Sequence, residues 1–78
     1  MKFTKYCEHV RTRPDRLDIK LEWVQQAIDT SDAEVIQEDG RIRRWKKIEE
    51  AEERYLRVVL LPDGETVHNY FFDRRFQE

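Results

Sequence analysis

The sequence contains few of the features on which small secreted or membrane proteins depend. Its single cysteine, Cys7, has no partner within the chain, which excludes an intramolecular disulfide. No Cys/His cluster has the spacing of a zinc site, and we predict no metal or cofactor. No run reaches the roughly 18 apolar residues of a membrane span, and the opening MKFTKYCEH lacks the apolar core of a signal peptide. The sequence therefore predicts a cytoplasmic protein without a membrane segment.

The chain also has little length and little net charge. Its 78 residues predict a single domain over 1–78, because so short a chain buries only about 60% of its unfolded surface. Its 15 Lys and Arg residues nearly balance 17 Asp and Glu residues. Residues 33–53 nevertheless hold five cations beside seven anions. Any attraction for a polyanion must therefore come from a local patch rather than from the whole protein.

Helical patterns occupy the N-terminal part of the chain. Thr4 is a suitable cap for a first helix over residues 5–13, which Pro14 should end. Asp18 is a suitable cap for a second helix over residues 19–29, where apolar residues repeat every three or four positions. We therefore expect two N-terminal helices, the second with a broad apolar face.

After TSD the pattern changes from helical to alternating. Asp39-Gly40 lies between two extended runs and predicts a tight hairpin. YLRVVLL then turns at PDG into ETVHNYFFD, and the acidic EEAEER before it is either a simple link or a helical turn. The sequence predicts an α+β fold with two N-terminal helices packed on one face of a four-stranded antiparallel β-meander.

The last two strands indicate which side chains face the helices. Leu56, Val58 and Leu60 share one face of the third strand, which suits the covered side. In the fourth strand, alternation places His68 and Tyr70 on one face about 7 Å apart. Which face of that strand packs inward stays open.

The basic stretch RIRRWKK, residues 41–47, places five cations around a tryptophan. Strict alternation would put two cations on the same face as two isoleucines and bury them unpaired, which is costly. The residues concerned are Ile42, Arg44, Lys46 and Ile48. We therefore expect a β-bulge between Arg43 and Lys47, which leaves most cations on the open face. They either bind a polyanion or only blunt an exposed strand.

The order of these residues resembles a small prokaryotic family of uncharacterised domains akin to BrnT-type and, more distantly, RelE-type toxins. The resemblance rests on His9, Arg13, the hairpin EDGRIRRW and the run LRVVLLPDGETVHNYFFDRR. It implies a helical pair on a curved antiparallel sheet, cleavage of messenger RNA and neutralisation by a cognate antitoxin. His9 and Arg13 would match the polar pair of the first helix. The basic positions of the sheet and C-terminus would be Arg44, Lys46, Arg57 and Arg74.

Cleavage of RNA through its 2′-hydroxyl requires a base, an acid and cations that offset phosphorane charge. The candidate catalytic residues are His9, Arg57, His68 and Tyr70. The candidate nucleic-acid-binding residues are Arg13, Arg43, Arg44, Trp45, Lys46, Lys47 and Arg74. His68 fits a structural role as well as a catalytic one, and Trp45 is suited either to stacking on an unpaired base or to core packing.

Two functions remain as hypotheses. The first is a toxin-like, RNA-directed ribonuclease with RNA and a cognate antitoxin as partners. The second is a non-catalytic protein-interaction module on the same fold, which the acidic linker and the net charge favour. The sequence leaves open whether the protein is an enzyme, and it leaves the oligomeric state open.

Overall fold

The computed structural model describes residues 1–77. Its helices are α1 (Lys5–Val10), α2 (Pro14–Leu17) and α3 (Leu21–Asp29). Its strands are β1 (Lys2–Phe3), β2 (Ala33–Ile36), β3 (Ile42–Ile48), β4 (Arg54–Leu60) and β5 (Thr66–Phe72). They form one sheet in the order β1-β5-β4-β3-β2, in which β1 runs parallel to β5 and the other neighbours are antiparallel. Within this described range, each helix is too short or too polar to cross a membrane.

The α+β class is confirmed, but the predicted number of helices is wrong. Residues 1–77 form three short helices, because α1 ends at Val10 and Pro14 begins a separate turn, α2. Proline is tolerated in the first turn of a helix, where its missing N–H has no intrahelical partner. Asp18 lies at the C-terminal end of α2, and α3 begins after Lys20 without a side-chain cap.

The sheet has a strand that the sequence pattern did not predict. Lys2 pairs with Thr66 and Phe3 with Val67, which makes β1 a parallel edge strand beside β5. Two residues are too few to show an alternating pattern, so this strand left no periodic signal. The prediction of four antiparallel strands is therefore only partly correct.

The core lies between the helices and one face of the sheet. Leu56, Val58 and Leu60 are fully buried there, as alternation predicted, and they belong to one cluster with Trp23 and Val24 of α3. Full burial of such a side chain stabilises the fold by roughly 1.5–3 kcal/mol relative to exposure. We call this side of the sheet the helix face and the opposite side the open face.

A register shift in β5 reverses the expected alternation of that strand. The pairing of β5 with β4 skips His68, which is therefore the extra residue of a β-bulge. Val67 and Tyr70 are both buried although they are three positions apart. The regular alternation expected for β5 is therefore interrupted at His68, whereas Tyr70 is paired with Val58 and buried on the helix face.

In contrast, β3 is regular. Its pairing with β4 is continuous from Ile42 opposite Leu60 to Ile48 opposite Arg54. The prediction of a β-bulge between Arg43 and Lys47 is therefore wrong. Strict alternation holds, and the cations that share a face with the isoleucines must be compensated in another way.

The connections on either side of β3 agree with the turn signals. Gly40 has φ 91° and donates its N–H to the Gln37 carbonyl, so the predicted hairpin forms around the Asp39-Gly40 pair. Residues Glu49–Ala51 form a 3-10 turn, which confirms the helical alternative for the acidic link. Both hairpin and turn fix β3 between β2 and β4.

Candidate functional site

The helix-face cations of β3 are held by neighbouring groups. Arg44 donates from Nη1 to the Ile28 carbonyl at 2.8 Å and from Nε to Glu34 at 3.0 Å. Ile28 lies in the last turn of α3, where a cation satisfies the free carbonyls and the negative end of the helix dipole. Lys46 Nζ lies 3.7 Å from the Asp32 carboxylate. These two cations therefore join the end of α3 to the sheet.

The open face carries a separate row of side chains across the three central strands. Arg57 of β4 lies opposite Trp45 of β3 and opposite Phe71 of β5. Its guanidinium carbon is 5.7 Å from the centre of a Trp45 ring and 5.2 Å from that of Phe71. Cation–π attraction of this kind holds the guanidinium flat against the face.

The chain after β5 folds back over part of this face. We call residues 73–76 the C-terminal clasp. Phe76 stacks on Trp45 with ring centres 4.5 Å apart, and the Trp45 indole N–H donates to Asp73 at 3.0 Å. Asp73 also lies 3.6 Å from the Arg57 guanidinium. Trp45 is only 5% exposed. It is therefore a packing residue, and its ring is not free to stack on a base.

Asp73 is tuned to remain ionised in this position. Its partial burial raises the pKa of the carboxyl, but hydrogen bonds from Trp45 and the Arg75 backbone and the charge of Arg57 outweigh burial, so the pKa lies below its usual value. Asp73 therefore places a negative charge beside Arg57.

Arg43 and Arg57 form a pair of like charges on the open face. Arg43 lies opposite Val59, two positions along β4 from Arg57, so the two arginines are diagonal neighbours. Burial and the charge of Arg43 lower the pKa of the Arg57 guanidinium. The Nε atoms of both residues are buried without a hydrogen-bond partner, and Arg43 has no ion pair within residues 1–77.

The structure does not assemble the four candidate catalytic residues. His9 is exposed on α1, Arg57 lies on the open face and Tyr70 is buried on the helix face. His68 lies at the β5 bulge, beside the start of α1. The sheet itself separates Arg57 from Tyr70. Arg57 lies opposite Phe71 on the open face, whereas Tyr70 lies opposite Val58 on the helix face.

His68 belongs to a small polar cluster of its own. Its Nδ1 lies 3.1 Å from the Thr4 hydroxyl, and the Tyr6 ring stacks on the imidazole at 5.0 Å between centres. Burial and the nearby Arg41 lower the pKa of His68, which favours its neutral form. The Thr4 hydroxyl also caps α1 by accepting from the Cys7 N–H. The cluster therefore joins the bulge to the first helix.

The candidate nucleic-acid-binding residues occupy several surfaces. Arg43 and Lys47 lie on the open face with Trp45, whereas Arg44 and Lys46 lie on the helix face. The two outer candidates, Arg13 before α2 and Arg74 after β5, are exposed. His9 and Arg13 do not share one helix, because α1 ends between them. A continuous cationic strip along β3 is therefore not present.

Sequence reasoning named Arg74 of the C-terminal clasp as a candidate but missed Asp73 and Phe76. Asp73 and Phe76 lie outside any periodic segment, so no local pattern indicated that they return to Trp45. The composition of FFDRRF, with aromatics flanking an acid, was the one available signal. Only the turn after β5 brings these groups onto the open face.

We found no match for this chain among family models, curated proteins or solved structures. Among residues 1–77, no three or more His, Cys, Asp or Glu side chains are grouped closely enough to hold a metal ion. Cys7 is fully buried, and burial raises the pKa of its thiol to about 11. Such a thiol is a poor nucleophile at neutral pH. We therefore take the open face, with its neighbouring cations Arg43 and Arg57, as the candidate functional surface.

Proposed function

We propose that this chain is a non-catalytic protein-interaction module that binds an acidic segment of a partner protein on its open face. The observation that carries the proposal is the Arg43–Arg57 pair. Arg43 and Arg57 are diagonal neighbours on the open face, where Arg57 is paired with Asp73 and Arg43 has no counter-ion within the described residues. A carboxylate that pairs with the Arg43 guanidinium would offset the repulsion between the two cations. A cytoplasmic location is part of the proposal.

Apolar groups beside the pair support binding to a protein. Val35 of β2 lies opposite Arg43 and is 48% exposed, and Phe71 beside Arg57 is partly exposed. Protein interfaces combine aromatic and arginine side chains in this way, with the cations orienting the partner. A segment with alternating acidic and apolar residues would match both kinds of group.

Three features favour an acidic protein segment over RNA. The chain has a net charge of −2, and Glu49–Ala51 begins an acidic link at one end of β3. The ring of Trp45, which would stack on an unpaired base, is covered by Phe76. Two of the β3 cations are already held on the helix face. A long polyanion would therefore find few free cations and several repelling carboxylates.

The test is an NMR titration of the isotope-labelled chain with a capped heptapeptide of alternating glutamate and valine. We expect shifts at Arg43, Arg57 and Phe71, and a loss of affinity of at least about tenfold in Arg43→Glu, roughly the value of one ion pair in an interface. Lys20→Glu, which reverses an exposed charge on the helix side, is the matched control and should bind like the parent. The same titration uses a lysine and valine peptide and a single-stranded RNA heptamer.

The proposal fails if the glutamate peptide shifts no NMR signals of open-face residues. It also fails if Arg43→Glu and Lys20→Glu weaken the binding of this peptide equally. Stronger binding of the RNA heptamer than of the peptide would also overturn it and favour a nucleic-acid ligand.

A second candidate, the toxin-like ribonuclease, is favoured by one observation. The lowered pKa of His68 keeps its imidazole neutral near pH 7, the form in which it could accept a proton from a 2′-hydroxyl. Arg41 is close enough to His68 to influence that pKa and could face a phosphate. Incubation with labelled messenger RNA tests this function directly. Cleavage that disappears in His68→Asn and persists in His9→Asn would support it, and no cleavage would reject it.

A further inference from the structure

Strand β2 forms an outer edge of the sheet. It pairs with β3 on one side, and no other strand of residues 1–77 pairs with its outer side. Its partner β3 is held firmly between β2 and β4. The outer side of β2 therefore presents the backbone of a well-supported strand.

The backbone groups on that outer side can be assigned from the register. The Gln37 N–H donates to the Arg41 carbonyl at 2.8 Å, which marks these two residues as a hydrogen-bonded pair. Such pairs alternate along an antiparallel ladder, so Val35 opposite Arg43 is the next one. The residues on either side of Val35, Glu34 and Ile36, belong to the non-hydrogen-bonded pairs and direct their N–H and C=O groups outward.

The side chains of β2 give this edge one charged group, Glu34, which is paired with Arg44. Ile36 is 65% exposed and Val35 is 48% exposed, so both faces of the edge present a large apolar group. Natural sheet edges are usually blunted by lysine, proline or a bulge. The sequence AEVI contains neither residue, and its pairing with β3 is regular. The opposite edge strand, β1, has only two residues.

The charge beside β2 indicates the chemistry of an added strand. Arg43 lies opposite Val35 and lines a shallow groove along the edge with Val35, Ile36 and Gln37. Two acidic residues of the hairpin, Glu38 and Asp39, also line this groove, and Asp39 is paired with Arg41. A strand added to β2 would lie about 10 Å from β3, two strand spacings away. Extended arginine and glutamate side chains can meet across that distance. On the helix face Glu34 is already paired with Arg44, whereas Arg43 on the open face is a cation of this edge without an ion pair among residues 1–77.

We propose that the partner segment binds in an extended conformation as an additional strand along β2. Its backbone pairs with the outward groups of Glu34 and Ile36, and an acidic side chain beside Val35 pairs with Arg43. This inference rests on the proposed function, and it specifies how the acidic segment is held. Strand addition gives affinity through main-chain hydrogen bonds, and the alternating side chains give specificity.

Proline at an outward position provides a direct test. Ile36→Pro removes an N–H that faces solvent and leaves the β2–β3 ladder intact, which edge strands tolerate. Ile36→Val is the matched control, because it keeps both the N–H and a branched apolar side chain. With the glutamate and valine heptapeptide as the probe, we expect Ile36→Pro to weaken binding at least about tenfold, the equivalent of roughly 1.4 kcal/mol. Ile36→Val should bind within about twofold of the parent.

Two further measurements confirm that the variants are folded and locate the peptide. The amide spectrum of Ile36→Pro should retain the core signals of β4, and hydrogen exchange at Glu34 and Ile36 in the parent should slow when the peptide binds. N-methylation of alternate peptide residues should abolish binding in one register, because it removes donors from the added strand.

The outcomes separate this inference from the proposed function. If the peptide binds, Arg43→Glu weakens it and Ile36→Pro does not, the acidic ligand lies flat on the open face and strand addition is wrong. If the glutamate peptide does not bind at all, both proposals fail. Concentration-dependent dimerisation that Ile36→Pro abolishes, without peptide binding, would identify a second copy of the chain as the occupant and would overturn the acidic partner.

Discussion

The two faces of β3 use the same kinds of side chain for different purposes. On the helix face, Arg44 and Lys46 are bound by carboxylates, and Arg44 also binds the last turn of α3. On the open face, Arg43 has no ion pair within residues 1–77 and lies close to another cation, Arg57. Alternation along one regular strand therefore divides a basic run into structural cations and available cations.

This comparison teaches that a run of cations cannot be interpreted as one surface. Burial of a charge is most costly when the charge lacks a partner, and the helix-face cations are only partly buried and are paired with carboxylates. The absence of a β-bulge in β3 follows from the same fact. Because Arg44 and Lys46 find carboxylates and a helix terminus, the strand can keep its regular register and bury Ile48.

The largest expected effect concerns the covered core. Leu56→Ala should lower the free energy of unfolding by about 2–5 kcal/mol, because it removes buried methyl groups and leaves a cavity under the helices. Urea denaturation followed by circular dichroism measures this loss. Leu17→Ala, at a side chain that is 68% exposed, should change it by less than about 0.5 kcal/mol. Equal losses in the two variants would contradict the assigned core.

The cations of β3 can be compared directly. Arg44→Met should lower the free energy of unfolding by about 1.5–3 kcal/mol. It removes two hydrogen bonds from a charged donor, and Glu34 and the Ile28 carbonyl lose their partner. Arg43→Met should change stability by less than about 0.5 kcal/mol, since it removes a charge that repels Arg57. The same denaturation experiment measures both. A larger loss in Arg43→Met would show that the two faces are assigned the wrong way round.

The C-terminal clasp should have a smaller effect. Phe76→Ala should cost about 0.5–1.5 kcal/mol, the usual value of an aromatic pair beyond its buried area. It should also shift Trp45 fluorescence to longer wavelength, measured in a Trp23→Phe background that leaves one indole. Gln77→Ala, the neighbouring exposed residue, is the control. Unchanged emission in Phe76→Ala would exclude the stack.

The smallest expected effect is the pH dependence of His68. Its pKa in the folded state lies below the ordinary value of 6.5, so the unfolded chain binds more protons as the pH falls through 6.5. The free energy of unfolding should therefore fall from pH 7.5 to pH 5 more steeply in the parent than in His68→Asn, whose side chain does not titrate. Subtracting one curve of unfolding free energy against pH from the other removes the contribution of the carboxylates, which both proteins share. A difference that grows with pH above 7.5 would contradict this sign.

Several elements could be predicted because their signals are local. The Asp39-Gly40 hairpin forms where its turn residues indicate, and β4 buries the alternate residues that its pattern selects. The division into α1 and α2 was missed because Pro14 was expected only to end a helix, whereas α1 already ends at Val10 and Pro14 lies in the first turn of α2. The bulge at His68 was missed because nothing in its immediate sequence distinguishes an extra residue from a paired one.

The candidate site was less predictable than the fold. The basic stretch was expected to place most of its cations on the open face through a β-bulge, but β3 is regular and Arg44 and Lys46 lie on the helix face. Partners of those residues lie 10 to 16 positions away in the chain. Trp45 and Asp73 are separated by 28 positions, so their hydrogen bond has no local signal.

The α+β class, the position of the hairpin and the covered face of β4 follow from local patterns, because periodicity and turn chemistry act over a few neighbouring residues. Which cations are paired and which remain available depends on packing between distant segments. It is set by where α3 ends and by where the chain turns after β5. Contacts between segments distant in the chain set the electrostatic environment of each cation, and a local sequence pattern cannot predict such contacts.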